Sequence, residues 1–422
     1  MEVDLVVIGL GYVGMPLARE AVRSGLSVVG YDRSRAVADG LNSGRSHVDD
    51  VSDADIAAML ARGFRAVSDE AEVPAPETAV ICVPTPLSAE GGPDLTAVRG
   101  AAETVARLLH PGMLVVLEST TYPGTTDEIV RPILEQHSGL AVGEGESCFH
   151  LAFSPERIDP GNKTYGIRNT PKVVGGHTPA CASAAAGFYG KLCDQVVQAK
   201  STREAEMAKL LENTYRHVNI ALVNEMAIFC HELGVDLWDA IRCAATKPFG
   251  FQAFYPGPGV GGHCIPIDPN YLSYKVRTLG YPFRFVELAQ EINNRMPSYV
   301  VDRATELLNS RSKALNGSRV LLLGVTYKKD IADRRETPVA GVARRLRARG
   351  ADLRYHDPYV DDWRVDGLPV RRADNLESEI AAADLTILLQ EHSAYDLGSI
   401  ARESSLLLDT RGHVTGGNAE VL

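Results

Sequence analysis

Apolar positions along the chain follow two patterns: short continuous runs and longer helical repeats. Continuous runs at 5–8, 78–83 and 113–117 are typical of strands buried on both faces of a parallel sheet. Helical repeats at 15–24 and 95–109 lie between or after such runs. Alternating strands and helices indicate a doubly wound α/β sheet in the first part of the chain.

A long helical segment marks a second region. Residues 203–233 contain neither Gly nor Pro, and Gly234 follows them. At about 1.5 Å per residue the segment predicts a helix of roughly 45 Å, which is more typical of a spine between domains than of a small α/β unit. A Pro/Gly-rich stretch at 247–269 then interrupts the helical pattern.

The opening pattern returns after residue 312. A strand at 319–324 ends in glycine, a helix follows at 339–349, and a strand at 351–356 ends at Asp357. The predicted fold class is therefore α/β, with two Rossmann-like doubly wound domains joined by an α-helical middle domain with a long spine helix. The predicted boundaries are 1–200, 201–311 and 312–422.

Composition narrows the function classes. The net charge of −11 argues against a nucleic-acid-binding protein, which needs a basic surface. No apolar stretch reaches about 18 residues, so no membrane span is predicted. The seven cysteines are odd in number and lack a C-x-x-C pair, which predicts neither a disulfide framework nor a metal site and fits a reducing cytoplasm.

A glycine motif follows the first predicted strand. Gly9, Gly11 and Gly14 form G-x-G-x-x-G at the start of a predicted helix, and Asp32 ends the next strand. Glycines there permit a tight turn and a close approach of a pyrophosphate, while the acid accepts hydrogen bonds from the ribose. The pattern predicts NAD binding, and the adjacent Arg33 leaves NADP open.

Two further patterns suggest chemistry at a carbonyl group. Glycines crowd residues 257–262 and lead to Cys264 and Asp268; a thiolate is a nucleophile for a carbonyl carbon, although an inert buried thiol explains the motif equally well. Lys209 and Asn213 lie four residues apart, hence on one helix face, where they can hold a substrate oxygen. Spacing alone favours a solvated surface lysine.

Polar loops follow several predicted strands, at the end where α/β sheets bind ligands. Residues 83–86, 118–125 and 154–157 form such loops, and each is also compatible with an ordinary polar surface. Lys328 and Arg335 follow the first strand of the third region. These cations suit a diphosphate or a surface salt-bridge cluster.

Together these motifs resemble the UDP-glucose/GDP-mannose dehydrogenase family over essentially the whole chain, most specifically from Gly261 to Asp268. The resemblance implies a four-electron oxidation at C6 of a UDP-sugar with two NAD⁺, in a homodimer or higher homo-oligomer. It implies that Cys264 attacks the C6 aldehyde to give a thiohemiacetal and then a thioester, which water hydrolyses. The implied catalytic residues are Cys264, Lys209 and Asn213 at the oxyanion, Asp268 beside the thiol, and Thr120 and Glu156 at the water.

The resemblance also implies which residues bind the cofactor and the substrate. The implied NAD-binding residues are Gly9, Gly11, Tyr12, Val13, Gly14, Asp32, Arg33, Pro84, Thr85 and Thr120. The implied substrate-binding residues are Glu156, Arg157, Lys209, Asn213, Tyr255, Gly257, Gly261, Lys328 and Arg335. No metal is implied.

Two departures bear on the sugar. Glucose-type members carry a Glu where this chain has Pro160, and a Lys where it has Ile267. These departures favour the branch that oxidises UDP-N-acetylhexosamines such as UDP-N-acetylglucosamine. UDP-glucose and UDP-N-acetylmannosamine remain alternatives, as does GDP in place of UDP. A single-step β-hydroxyacid dehydrogenase and a non-catalytic nucleotide-sugar sensor are the other function classes to test.

Overall fold

A computed structural model describes residues 3–88, 92–159, 161–162, 164–262, 265, 267–414, 416 and 418–422. The chain divides into two compact units. The first comprises Met1–Glu212 with Asn270–Tyr281, and the second comprises Asn213–Pro269 with Pro282–Leu422. No helix in the described ranges is long and apolar enough to cross a membrane.

The first unit contains a largely parallel sheet, because its strands are joined through helices. The described strands are β1 (Val3–Ile8), β2 (Val28–Tyr31), β3 (Arg65–Val67), β4 (Pro76–Ile81), β5 (Leu114–Leu117), β6 (Ala141–Val142), β7 (Cys148–Phe153), β8 (Lys172–Gly176) and β9 (Val196–Gln198). Their order is β3-β2-β1-β4-β5-β7-β8-β9, with β6 beside β7. Strands β7 and β8 are antiparallel, and the other pairs are parallel.

Helices cover this sheet and continue into the second unit. Those of the first unit are α1 (Gly14–Arg23), α2 (Arg35–Asn42), α3 (Asp53–Ala61), α4 (Thr96–Leu108), α5 (Arg131–Ser138) and α6 (Pro179–Tyr189), with a 3₁₀ turn at Glu70–Glu72 and a π turn at Thr126–Val130. The chain continues through α7 (Thr202–Leu233), α8 (Leu237–Ala244), α9 (Asp268–Thr278) and α10 (Arg284–Ser310). The predicted spine helix is therefore confirmed as α7.

The second unit contains a second parallel sheet. The remaining strands are β10 (Arg319–Leu323), β11 (Asp352–His356), β12 (Arg364–Val365), β13 (Leu368–Pro369), β14 (Arg371–Arg372), β15 (Leu385–Leu388), β16 (Leu407–Asp409) and β17 (Ala419–Val421), and the helices are α11 (Pro338–Ala348), α12 (Leu376–Ala382) and α13 (Leu397–Glu403). The sheet order is β14-β11-β10-β15-β16-β17, and β12 pairs with β13. The predicted fold class is confirmed, whereas the three domain boundaries stay predictions.

Buried faces explain the continuous apolar runs. The side chains of Leu5–Ile8 in β1 and of Val320–Leu323 in β10 are essentially inaccessible to solvent. Alternate residues of each strand pack into separate apolar clusters on opposite faces of the sheet. A strand covered on both faces must be apolar at every position, which is the pattern that the sequence shows.

Replacing Gly14 with Ala tests the packing of α1 on β1. A Cβ at Gly14 would lie 1.9 Å from the carbonyl oxygen of Gly9, so the helix must shift. We expect Gly14→Ala to lower the free energy of unfolding by about 1–3 kcal/mol in urea denaturation. Gly100→Ala is the control, because a Cβ at Gly100 meets no atom within 4 Å inside α4, and it should be neutral or stabilising. Equal effects of the two changes would contradict the steric argument.

Candidate active site

The glycine motif forms an open turn between β1 and α1. Gly9 has φ +95°, and a Cβ there would lie 2.7 Å from the carbonyl oxygen of Cys82. A Cβ at Gly11 would meet no protein atom within 4 Å. Val13, which follows Tyr12, is the N-cap residue of α1, and its apolar side chain makes no capping hydrogen bond to the helix-terminal amides. The turn therefore offers open space and backbone donors, which fit a pyrophosphate.

Asp32 stands beside this turn at the end of β2. Its carboxylate accepts hydrogen bonds from the backbone amides of Leu10 at 3.0 Å and Ser34 at 2.9 Å. Asp32 is half-buried, and Arg33 is exposed. His47, for which no sequence motif gives a signal, contacts the carbonyl oxygen of Leu10 at 2.8 Å through its Nε2. The carboxylate is thus fixed at the position where a dinucleotide ribose binds in a Rossmann sheet.

Loops after β4 and β5 meet near the same edge of the sheet. The Thr85 hydroxyl donates to the carbonyl oxygen of Thr120 at 2.8 Å, and the Tyr271 hydroxyl donates to the carbonyl oxygen of Thr85. Pro84 lies exposed beside them. The family resemblance implies that both loops bind ligand, and the structure brings Thr85 and Thr120 together.

Glu156 and Lys209 form a buried ion pair in the first unit. The Lys209 ammonium lies 3.2 Å from Glu156 Oε2 and donates to the Glu156 carbonyl oxygen at 2.7 Å. Burial raises the pKa of Glu156, although the nearby Lys209 and Lys172 ammonium groups oppose that shift. A carboxyl group with a raised pKa is suited to accept a proton near neutral pH. Arg157 instead pairs with Glu212 and donates to the Pro171 carbonyl oxygen at 2.8 Å.

Asn213 and Asp268 form a buried hydrogen-bonded pair in the second unit. The Asn213 amide donates to Asp268 Oδ2 at 2.5 Å, and Asp268 begins α9. An amide nitrogen carries two hydrogens, so this bond fixes the side chain and retains a second hydrogen for another acceptor. The predicted helix face carrying Lys209 and Asn213 is thus buried, not solvated.

The glycine-rich stretch packs against the first loop of the second parallel sheet. A Cβ at Gly261 would lie 2.6 Å from Tyr327 Cβ, and the Gly262 amide donates to the Arg335 carbonyl oxygen at 3.2 Å. The Arg335 guanidinium binds both carboxylate oxygens of Asp333 and is about half exposed. Lys328, in the same loop, is half-buried. Only glycine permits this close approach at 261, where a side chain would meet Tyr327.

Buried amides anchor the beginning of this stretch. Asn224 accepts a hydrogen bond from the Gly257 amide at 2.9 Å and donates to Asn293 at 2.9 Å, and Asn293 donates to the carbonyl oxygen of His217 at 3.3 Å. Burial lowers the pKa of His217 to about 4. Tyr255 is exposed. His263 and Cys264 lie outside the described residues.

Three family models match the chain in order. The models of the UDP-glucose/GDP-mannose dehydrogenase family match residues 3–193 as the NAD binding domain, 203–295 as the central domain and 321–416 as the UDP binding domain. The chain belongs to this family. It is an NAD-dependent UDP-sugar dehydrogenase, an oxidoreductase, and the predicted cofactor and enzyme class are confirmed.

Relatives within the family match over most of their length. UDP-N-acetyl-D-glucosamine 6-dehydrogenase of Pseudomonas aeruginosa is 35% identical over 85% of this chain and 83% of its own. The structure of UDP-D-ManNAc dehydrogenase from Pyrococcus horikoshii has a TM-score of 0.88 at 32% identity, covering 99% of this chain and 98% of its own. A UDP-glucose dehydrogenase from Pyrobaculum islandicum has a TM-score of 0.86 at 27% identity, with 100% and 97% covered.

Replacing Asp32 with Ala tests the NAD site of this dehydrogenase. We expect KM for NAD to rise roughly tenfold or more, because a charged hydrogen-bond acceptor is lost beside the glycine turn. Affinity for the nucleotide-sugar, measured by calorimetry, should stay nearly unchanged. Asp39→Ala on the exposed face of α2 is the control. Equal loss of both ligands would argue against separate sites.

Replacing Asn224 with Ala tests the amide anchor of the glycine-rich stretch. The change leaves the Gly257 amide and the Asn293 side chain without their buried partner, so we expect a loss of about 1–3 kcal/mol in the free energy of unfolding. Asn219→Ala is the matched control on α7, because the Asn219 amide donates to the Tyr215 carbonyl oxygen within its own helix, as far as the described residues show. Similar unfolding midpoints for the two variants would refute the anchor.

Proposed function

We propose that this enzyme oxidises the C6 hydroxyl of a UDP-N-acetylhexosamine, such as UDP-N-acetylglucosamine, to the uronic acid in two NAD-dependent steps. The observation that carries the proposal is the packing of Gly261 and Gly262 on the loop of Tyr327 and Arg335. Those glycines lead directly into the segment of Cys264, and the loop belongs to the UDP binding domain of the family. Glycines that precede the cysteine in sequence and contact a nucleotide-binding loop suit an enzyme in which a cysteine attacks a nucleotide-sugar.

The proposal of an N-acetylated sugar rests on the names of two relatives and on two residues of this chain. The Pseudomonas and Pyrococcus relatives are named for N-acetylated hexosamines. Ile267 replaces the lysine of glucose-type members, and Pro160, outside the described residues, replaces a glutamate. Fold likeness alone does not discriminate, since the Pyrobaculum enzyme named for UDP-glucose has a TM-score of 0.86.

Each proposed catalytic residue has a chemical role. NAD, when bound, accepts the hydride in each oxidation. Lys209 and Asn213 stabilise the negative charge that develops on the C6 oxygen, where fixed donors contribute most. The Cys264 thiolate adds to the aldehyde, because an aldehyde has no easily lost hydride until a nucleophile adds. Loss of the second hydride leaves a thioester on Cys264.

Water completes the reaction. Glu156, with Thr120, holds the attacking water and accepts its proton, so the thioester C–S bond breaks and the uronic acid leaves. Asp268 assists the departing thiol. The sugar loses four electrons in total, and two NAD⁺ are reduced. A homodimer or higher homo-oligomer and a cytoplasmic location stay predictions.

Counting NADH per sugar tests the four-electron reaction. We expect two NADH per UDP-N-acetylhexosamine consumed, and Cys264→Ser should abolish steady-state formation of the uronic acid because the hydroxyl is a poor nucleophile. Cys243→Ser is the control, since Cys243 is exposed on α8. One NADH per sugar would indicate a single-step dehydrogenase. Nucleotide-sugar binding without turnover in the parent enzyme would indicate a sensor.

A panel of nucleotide-sugars tests the proposed substrate separately. We expect kcat/KM to be higher for UDP-N-acetylglucosamine or UDP-N-acetylmannosamine than for UDP-glucose and GDP-mannose. Ile267→Lys restores the residue of the glucose-type members, so it should lower the ratio of kcat/KM for acetylated UDP-sugars to kcat/KM for UDP-glucose. A parent enzyme that prefers UDP-glucose would overturn the assignment of the sugar and leave the four-electron chemistry intact.

A further inference from the structure

A second buried ion pair lies next to Glu156 in the first unit. Glu118 follows β5, Lys172 begins β8, and Lys172 Nζ lies 2.8 Å from Glu118 Oε1. Both side chains are at least nine-tenths buried, and the Tyr189 hydroxyl also donates to Glu118. Together with Glu156, these two residues line one cavity. Burying two charges costs more than placing them on a surface, so their presence calls for a function.

Lys172 holds the peptide that carries Glu156. Its ammonium donates to the carbonyl oxygen of Pro155, the residue before Glu156, at 3.2 Å. Lys209 contacts Glu156 directly: its ammonium donates to the carboxylate and to the backbone carbonyl oxygen of Glu156. Glu156 is therefore fixed by two cations, of which Lys209 belongs to the proposed chemistry and Lys172 does not.

We propose that Lys172 and Glu118 are positioning residues for Glu156. Lys172 fixes the loop that presents Glu156, and the opposed charges of Lys172 and Glu118 set the proton affinity of its carboxylate. The inference rests on the proposed function, in which Glu156 accepts the proton of the hydrolytic water.

The charged groups that face Glu156 determine the direction in which each substitution shifts the pKa of Glu156. Burial raises the pKa of Glu156, Lys209 on α7 and Lys172 on β8 lower it, and Glu118 raises it. Among the described residues, the Cys82 thiol after β4 also interacts with Glu156, and burial raises the pKa of Cys82 well above its ordinary value, so it stays neutral. Since the ionised form of Glu156 is the active one, uronic acid release is lost as pH falls through the pKa of Glu156 in the folded enzyme.

The pH profile of single-turnover uronic acid release tests the proposal. Lys172→Met removes a nearby cation, so the acid limb should move up by about one pH unit. Glu118→Gln removes a nearby anion and should move the limb down. In the double variant Lys172→Met/Glu118→Gln the acid limb should lie close to that of the parent enzyme. Lys172→Arg keeps the positive charge, so its acid limb should also match that of the parent. Opposite shifts from two halves of one ion pair do not arise from a loss of stability.

Two controls separate this proposal from the proposed function. Glu156→Gln should slow release and remove the acid limb; an unchanged limb in that variant would overturn the role of Glu156 itself. If Glu156→Gln removes the limb while Lys172→Met and Glu118→Gln each leave it unmoved, the positioning role is wrong. Arg319→Met breaks the ion pair between Arg319 on β10 and Glu379 on α12, and should lower the unfolding temperature without moving the profile. If Arg319→Met shifts the pH profile as much as Lys172→Met does, the proposal is also overturned.

Discussion

An aspartate at the end of the second strand holds the loop after the first strand in each parallel sheet. Asp32 accepts from the Leu10 amide at 3.0 Å, and Asp357 accepts from the Val325 amide at 2.7 Å. The first strand ends there, so these amides lack a ladder partner and need an acceptor. This hydrogen bond fixes the start of each loop at the end of the sheet where α/β proteins bind their ligands.

The two aspartates differ in what else they contact. Asp357 is fully buried and lies 3.0 Å from His392 Nε2; burial raises the pKa of Asp357, but the His392 contact and backbone amides outweigh this and lower it. Asp32 is half-buried, and the partners of its carboxylate among the described residues are the backbone amides of Leu10 and Ser34. The Asp357 carboxylate is thus enclosed by the fold, while the Asp32 carboxylate is partly exposed beside the glycine turn. The same architectural element supports a dinucleotide in one unit and a different ligand in the other.

Sequence patterns predicted the elements that neighbouring residues determine, and missed those that depend on contacts between residues distant in sequence. The apolar strands, the glycine turn and α7 follow from continuous apolar runs, from Gly9 and Gly14, and from a helix-compatible segment. The antiparallel β8 was not predicted, because strand direction depends on long-range pairing. Lys209 was expected to be solvated on spacing alone; it is buried because Glu156, distant in sequence, supplies its counter-charge. Lys172 gave no signal for the same reason.

Recognition of two anionic diphosphates by a chain of net charge −11 must be local. At physiological ionic strength, charges on the surface are screened beyond about 8–10 Å, so the distant acidic residues contribute little to a bound phosphate. Backbone amides at the uncapped start of α1 provide donors without any cation. Arg335 is different, because Asp333 already binds its guanidinium, which leaves a neutral pair until a phosphate competes for it. The carbonyl oxygen of Arg335 also accepts the hydrogen bond of the Gly262 amide, so the same residue that carries this ion pair shapes the loop on which the glycine-rich stretch packs.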